Sequence, residues 1–390
     1  MTTAGVALDA LGLDVFGLDP TVIHLNHGAY GVAPVSVRAA VTAWQHRAER
    51  NPHRFNRIEL PELIAGARAD AAAYLGIRAD ACALVRNASE GFSAVLQSLD
   101  LRAGDEIVLA THGYGAMRIA SNHWATRRGI AVVDATFPVG ASDDEIIAAY
   151  LGAVGERTRL VVLDAITSPT ATVLPVAATA AAVADRAPWA RVFVDAAHVP
   201  GSMPADIEQL GVAYWIGNLH KWAYTPRGSA LMWVAEPLRD TTFPSLLSWQ
   251  LPDGFPRSFD YPATWDYSGW LAIGDGVNFW TAIGGWDRVE QLSALADAGQ
   301  RIVADALGTG LDRLPVHPAP TMRMVRLPSS VTLRTRDDVD ALYERLSGEY
   351  RIEAIPTAQD GIGYLRLAAA PYNTEDDYRA LADAVASLFG

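Results

Sequence analysis

One cysteine, Cys82, is all the thiol this chain carries, so no internal disulfide can close within it. No group of Cys and His has zinc-ligand spacing either, and no metal is expected. Both absences fit a reducing compartment, and the cytoplasm is the expected location. Basic residues are in short supply: 31 Lys and Arg face 44 Asp and Glu, a formal net charge of -13. Such a surface repels phosphate backbones and anionic bilayers, so neither nucleic acid nor membrane is expected as a partner. Long apolar runs are missing too. The most apolar stretch, 173–184, is Ala-rich, is closed by Asp185 and Arg186, and falls short of the ~20 residues a membrane span requires. The first twenty residues show no basic start and no continuous apolar core, so no export signal is read there. Finally, the G-x-G-x-x-G and Walker patterns are absent from the strand-to-helix turns, which argues against dinucleotide and P-loop nucleotide sites.

What is present is enough apolar material, half of the 390 residues, for one large domain and a smaller one. From about residue 81 to 234, short β-branched runs alternate with Ala-rich segments of helical period. That alternation predicts an α/β fold with a mostly parallel sheet and crossover helices. Strands are expected at 83–86, 106–109, 130–134, 160–164, 191–195, 213–216 and 230–234, and helices at 90–99, 116–128, 143–154 and 176–186. Right-handed crossovers gather the loops that follow the strands at one sheet edge, where such folds bind ligands. Residues 241–267, dense in Pro, Trp, Phe and Ser, read as a long ordered loop lining something. A helical connector over 271–307 leads to an α+β unit with strands at 322–327, 331–333, 352–355 and 363–367 and helices at 337–347 and 374–388. The expected division is an N-terminal arm (1–20), a large cofactor-binding domain (21–270), and a connector with a small C-terminal domain (271–390).

Three stretches carry chemistry. Gly217-Asn218-Leu219-His220-Lys221-Trp222 follows a short strand and sets Lys221 at the sheet edge, where a desolvated amine can act as a nucleophile toward an aldehyde. Asn218 and His220 are neighbouring donors for a phosphate. The apolar strand Arg191-Val192-Phe193-Val194-Asp195 ends in a carboxylate aimed at the cleft, with His198 three residues on. An ionised aspartate beside a pyridine nitrogen keeps that nitrogen protonated and makes the ring an electron sink. His198 can bond a ring hydroxyl or the substrate. At Asn87-Ala88-Ser89, a strand gives way to a helix whose first N–H groups are open to a phosphate. Taken singly, each has an ordinary reading: a polar-turn lysine, a capping aspartate, a plain N-cap. Their order, each at the carboxyl end of a predicted strand, is what points to pyridoxal 5'-phosphate (PLP).

The sequence resembles the fold-type I PLP-dependent enzymes of the class V aminotransferase group, most closely the isopenicillin N epimerase-like branch, over nearly the whole chain. The likeness rests on Leu25-Asn26-His27-Gly28-Ala29-Tyr30-Gly31, on the Lys221 run, and on Arg366 followed by Tyr372-Asn373-Thr374 and Asp377. It implies a large domain with a mostly parallel seven-stranded sheet plus a small C-terminal α+β domain, with Lys221 holding PLP. Arg366 is then the grip on the substrate α-carboxylate, a task that suits a planar guanidinium, and Asn26, His27 and Tyr30 lie on the substrate side. A ring from the 111–116 segment stacks on the cofactor, with Tyr114 the first choice and His112 the second. The resemblance further implies a homodimer with active sites at the subunit interface, where Thr264 reaches the partner's phosphate. Relatives have Gly-Thr-Arg-Asp in that loop and this chain has Ala263-Thr264-Trp265-Asp266, which favours a bulkier or less anionic substrate.

The electron sink serves several reactions on an amino acid. The reading adopted is a C–S β-lyase-type reaction on an S-substituted cysteine or natural-product intermediate. Epimerisation, with Tyr30 or His27 as a second base, is the alternative; transamination, decarboxylation-dependent deamination and a non-catalytic scaffold are the others. A persulfide relay is disfavoured because Cys82 falls in a predicted apolar strand.

Overall fold

The structure, a computed structural model, describes residues 9–389; the first eight residues of the expected arm lie outside them. Twelve strands run in order as β1 (Ile23–His24), β2 (Cys82–Val85), β3 (Glu106–Ala110), β4 (Ala131–Ala135), β5 (Thr158–Asp164), β6 (Arg191–Asp195), β7 (Tyr214–Asn218), β8 (Ala230–Val234), β9 (Met322–Arg326), β10 (Ile352–Glu353), β11 (Ile355–Gln359) and β12 (Ile362–Ala368). The seven from β2 to β8 form one sheet in the order β2-β8-β7-β6-β5-β3-β4. The pairs β3–β4, β3–β5, β5–β6 and β6–β7 are parallel, while β8 is antiparallel to both of its neighbours.

Pleating explains why the inner runs, unlike edge strand β4, carry no polar face. Val161, Val192 and Val194 point into one apolar cluster, and Leu160, Val162 and Phe193 into the cluster on the opposite side. A strand buried on both faces must be apolar throughout, and each such side chain contributes roughly 1.5–3 kcal/mol by leaving water. Helices at Ala88–Ser98, Gly115–Arg128, Asp143–Ala153 and Val176–Arg186 cover the sheet where they were expected. The third starts on a capping box, Ser142 with Glu145.

In the second unit, β11, β12 and β9 form an antiparallel sheet, and β1 pairs in parallel with β10. The helices Gly285–Leu307, Arg336–Glu349 and Glu375–Phe389 bury Val303, Leu346, Tyr378 and Val385 in one core with Leu25, Val325 and Leu365.

Four features depart from the sequence reading or go beyond it. The expected 271–307 connector is broken: helices Ile273–Ala282 and Gly285–Leu307 meet at Gly284 and Gly285, whose φ values of +116° and +53° leave the helical region. Residues 331–333 form no strand. Leu333 is buried against Gly363, so side-chain burial rather than ladder pairing accounts for the apolar run. Two helices escaped notice, Val35–Arg50 and Leu60–Tyr74, the second packing Leu60, Ile64 and Ala71 against Leu84 and Leu231 at the antiparallel end of the sheet. The 241–267 loop is ordered through 3-10 turns at Leu251–Asp253 and Arg257–Phe259. No helix of the described residues is long and apolar enough to cross a membrane.

Candidate active site

β7 ends in the helical turn Leu219–Trp222, and the chain is squeezed there from both sides. A Cβ on Gly31 would overlap the His220 carbonyl, and one on Gly201 would overlap the Trp222 carbonyl. Both glycines hold positive φ, +64° and +84°, so close approach and backbone conformation each require glycine. His27 sits beneath the turn, its Nε2 donating to the Lys221 carbonyl at 2.8 Å. Lys221 emerges buried, with Nζ 3.1 Å from His198 Nε2. Burial first, and the Arg366 charge second, pull its amine down to about 7, against the pull of Asp195. A sizeable share of this lysine is therefore the neutral nucleophile near neutrality. His198 is neutral for the same reasons: burial and the charges of Lys221 and Arg366 push it well below the usual imidazole range. One signal went unused in the sequence reading: Lys221 is the only lysine in the chain.

The carboxylates come from adjacent parallel strands. Asp164 ends β5, Asp195 ends β6, and the two are register partners. Burial raises Asp195, opposed by the Ala197 N–H, which donates to its Oδ1 at 3.0 Å, and by Lys221. Asp164 is raised well above the carboxylate range by burial and by Asp195. Two buried carboxylates side by side do not both ionise, and Asp195, with the amine near it, is the one that keeps the charge. Asp164 accepts the Tyr114 N–H at 3.2 Å and so holds the turn that presents the Tyr114 ring. The sequence reading missed it, although its signal, an apolar run ending in Asp, is the one that revealed Asp195.

A cavity of about 200 Å³ is lined by Ala29, Tyr30, Asn87, Ala88, Ser89, Tyr114, Asp164, Ile166, Ser168, Asp195, Ala197, His198, Asn218, His220 and Lys221. The expected phosphate cradle is partly spent: Asn218 Oδ1 accepts the Ala88 N–H and Asn87 Oδ1 the Glu90 N–H, both at 2.9 Å. The Ser89 N–H and hydroxyl and the Asn218 amide N–H₂ remain as donors. His220 gives its Nδ1–H to the Ser229 carbonyl at 3.0 Å. Burial holds that ring down to about 4, so it donates to a phosphate only when the anion itself draws a proton onto it.

Several expected contacts are not made. His112 is excluded as the stacking ring: it lies outside the cavity, donating Nε2–H to the Phe137 carbonyl at 2.7 Å, accepting from Thr170 at 3.2 Å, and stacking on Phe137. His27 does not face substrate, because its other nitrogen accepts from Tyr372 at 3.0 Å and both are occupied. Arg366 stands just behind the wall, donating to Ser168 Oγ at 3.2 Å and Asn26 Oδ1 at 3.0 Å, so Asn26 orients the arginine. Burial takes its guanidinium down to about 10. Thr264 is not in this cavity; it lines a groove of about 600 Å³ with Arg57 and Trp249.

The donor set suits PLP. Asp195 Oδ2 and His198 Nδ1 are buried without a hydrogen-bond partner, although such groups are nearly always satisfied. A protonated ring nitrogen answers the first and a ring hydroxyl the second.

Residues 34–249 match the Aminotransferase class-V family. The isopenicillin N epimerase of Streptomyces clavuligerus is 31% identical, over 96% of this chain and 96% of its own. An L-cysteine desulfhydrase of Arabidopsis thaliana is 26% identical, over 94% of this chain and 88% of its own. Among solved structures, a complex of the cystine C-S lyase C-DES with cysteine persulfide superposes with a TM-score of 0.79 at 22% identity, covering 94% of this chain and 98% of that one. Since the matched stretch takes in more than half of the residues, from the first long helix to the loop beyond Lys221, this chain belongs to the aminotransferase class-V family of PLP-dependent enzymes.

Proposed function

We propose that the chain is a C–S β-lyase that releases sulfide from cysteine or a thiol from an S-substituted cysteine. Bound PLP supplies the electron sink that weakens the bonds at the α-carbon. One observation carries the choice of reaction: among the described residues the cavity holds one amine, Lys221, with His198 at 3.1 Å, and no matching second base is paired opposite it. An epimerase working with two bases needs a second on the opposite face, and neither His27 nor Tyr30 is held there as a buried, paired base. His27 has both nitrogens occupied outside the cavity, and the Tyr30 side chain is 73% exposed at the mouth. Relatives in both the desulfhydrase and the epimerase groups leave the two reactions in play, and the single amine tips the balance.

In this reading Arg366 holds the α-carboxylate, with Asn26 and Ser168 fixing its plane, and Tyr114 and Asp164 close the ring face against water. The Lys221 amine takes the α-proton, the C–S pair leaves on sulfur, and the proton passes to the departing thiolate. The released enamine hydrolyses in water to pyruvate and ammonia. Cys82 takes no part, because it is buried and its thiol is pushed up to about 12. That inert, unpaired thiol supports a reducing compartment, the cytoplasm. The proposal includes a homodimer in which Thr264 serves the partner's site, supported by the exposed Leu246, Leu247 and Trp249 of the 241–267 loop.

Incubation with L-cysteine and S-alkyl cysteines tests the reaction. Sulfide from L-cysteine or thiol from S-alkyl cysteines, stoichiometric with pyruvate and ammonia, is expected; α-deuterium exchange with loss of optical activity and no pyruvate would establish the epimerase instead.

A further inference from the structure

The small unit holds a second cavity, about 490 Å³, between the end of the Gly285–Leu307 helix, the end of β9 and the β11–β12 hairpin. We propose that it is a binding site for a phosphate-bearing metabolite. Arg313 and Arg326 both line it and no Asp or Glu does. Among the described residues neither guanidinium makes an ion pair, and the nearest hairpin acid, Asp360, stands outside the lining. In a chain of net charge -13, a cavity lined by two guanidinium groups outside any ion pair and by no carboxylate is a local site for an anion.

The rest of the wall sets hydroxyls beside apolar side chains such as Leu307, Val331 and Ile362. Arg326 Nη2 donates to the Thr309 carbonyl at 2.8 Å, which anchors the fork and leaves its other N–H groups available. Arg313 holds φ at +57°, a conformation uncommon for a non-glycine residue and found at ligand clamps. Thr309 is buried with an unpartnered hydroxyl, and Ser329 and Thr332 add hydroxyls to the lining. Two planar guanidinium forks match the oxygens of a phosphate in pairs. A volume within the ~300–1,000 Å³ range of metabolite sites leaves room for an organic body beside the phosphate.

Calorimetric titration of the cofactor-loaded enzyme, whose own phosphate subsite is filled, tests this at constant ionic strength. Glucose 6-phosphate, inorganic phosphate, glucose and chloride serve as probes. Saturable binding of glucose 6-phosphate but not of glucose or chloride is expected, weakened about tenfold or more by Arg313→Gln, the loss of a charged hydrogen-bonding partner. Equal affinity for inorganic phosphate would support the same anion chemistry with the free ion as ligand. Arg326→Gln is the second variant, and its unliganded Tm reports whether the fold persists. Absence of saturable heat, heats reproduced by chloride, or unchanged affinity in a folded Arg313→Gln protein would overturn the proposal.

Discussion

The cavity around Lys221 and the groove around Thr264 are built in opposite ways. The first sets charged and polar groups in the dry edge of a parallel sheet, each near a partner that shifts its proton affinity. The second lies on the surface beside Trp249, which is 89% exposed, with Arg57 and Thr264 along its length. Burial in the first makes one chain sufficient to tune the chemistry. Exposure in the second leaves apolar area in water, the feature on which the proposed homodimer rests.

The sharpest way to break this contrast is to remove the amine. Lys221→Ala is expected to lower thiol release by roughly 10⁴-fold or more, and because the chain has no other lysine, borohydride should then fix no PLP to a side chain. Activity within tenfold of the parent would show that the buried cavity is not the reactive one. The next test probes burial itself. Only the neutral amine attacks an aldehyde, so an amine pulled down to about 7 should be captured by pyridoxal at a rate that rises through pH 6–8 and then levels off. An ordinary lysine, with its pKa near ~10.4, would still be rising, and would carry about a thousandfold less neutral amine at pH 7. Borohydride-fixed label against pH, on cofactor-free protein, distinguishes the two curves. The smallest effect belongs to the groove. If the proposed homodimer holds, Thr264→Ala should weaken PLP binding about tenfold with sedimentation of the dimer unchanged; a change seen equally in a variant made monomeric by Trp249→Arg would place Thr264 in its own chain's chemistry.

Much of the fold was legible because two-sided burial writes itself into composition. The runs that became β2 to β8 are apolar through their middles, with most polar residues at their ends, and those ends deliver Asn87, Asp195 and Asn218 to one edge. The break at Gly284 was hidden because the flanking segments keep a helical period on either side. The run at 331–333 misled because burial without pairing has the same composition as a strand.

Sequence alone determined which residue types stand at the strand ends: a solitary lysine, a terminal aspartate, a capped helix start. Tertiary structure decided what each of them does, because proton affinity and reach depend on neighbours distant in the chain. It set Asp164 beside Asp195, pulled His27 and His112 out of contact by occupying both nitrogens of each ring, and used Asn26 to aim Arg366. None of those pairings has a sequence period, since each joins segments dozens to hundreds of residues apart through the packing of the whole.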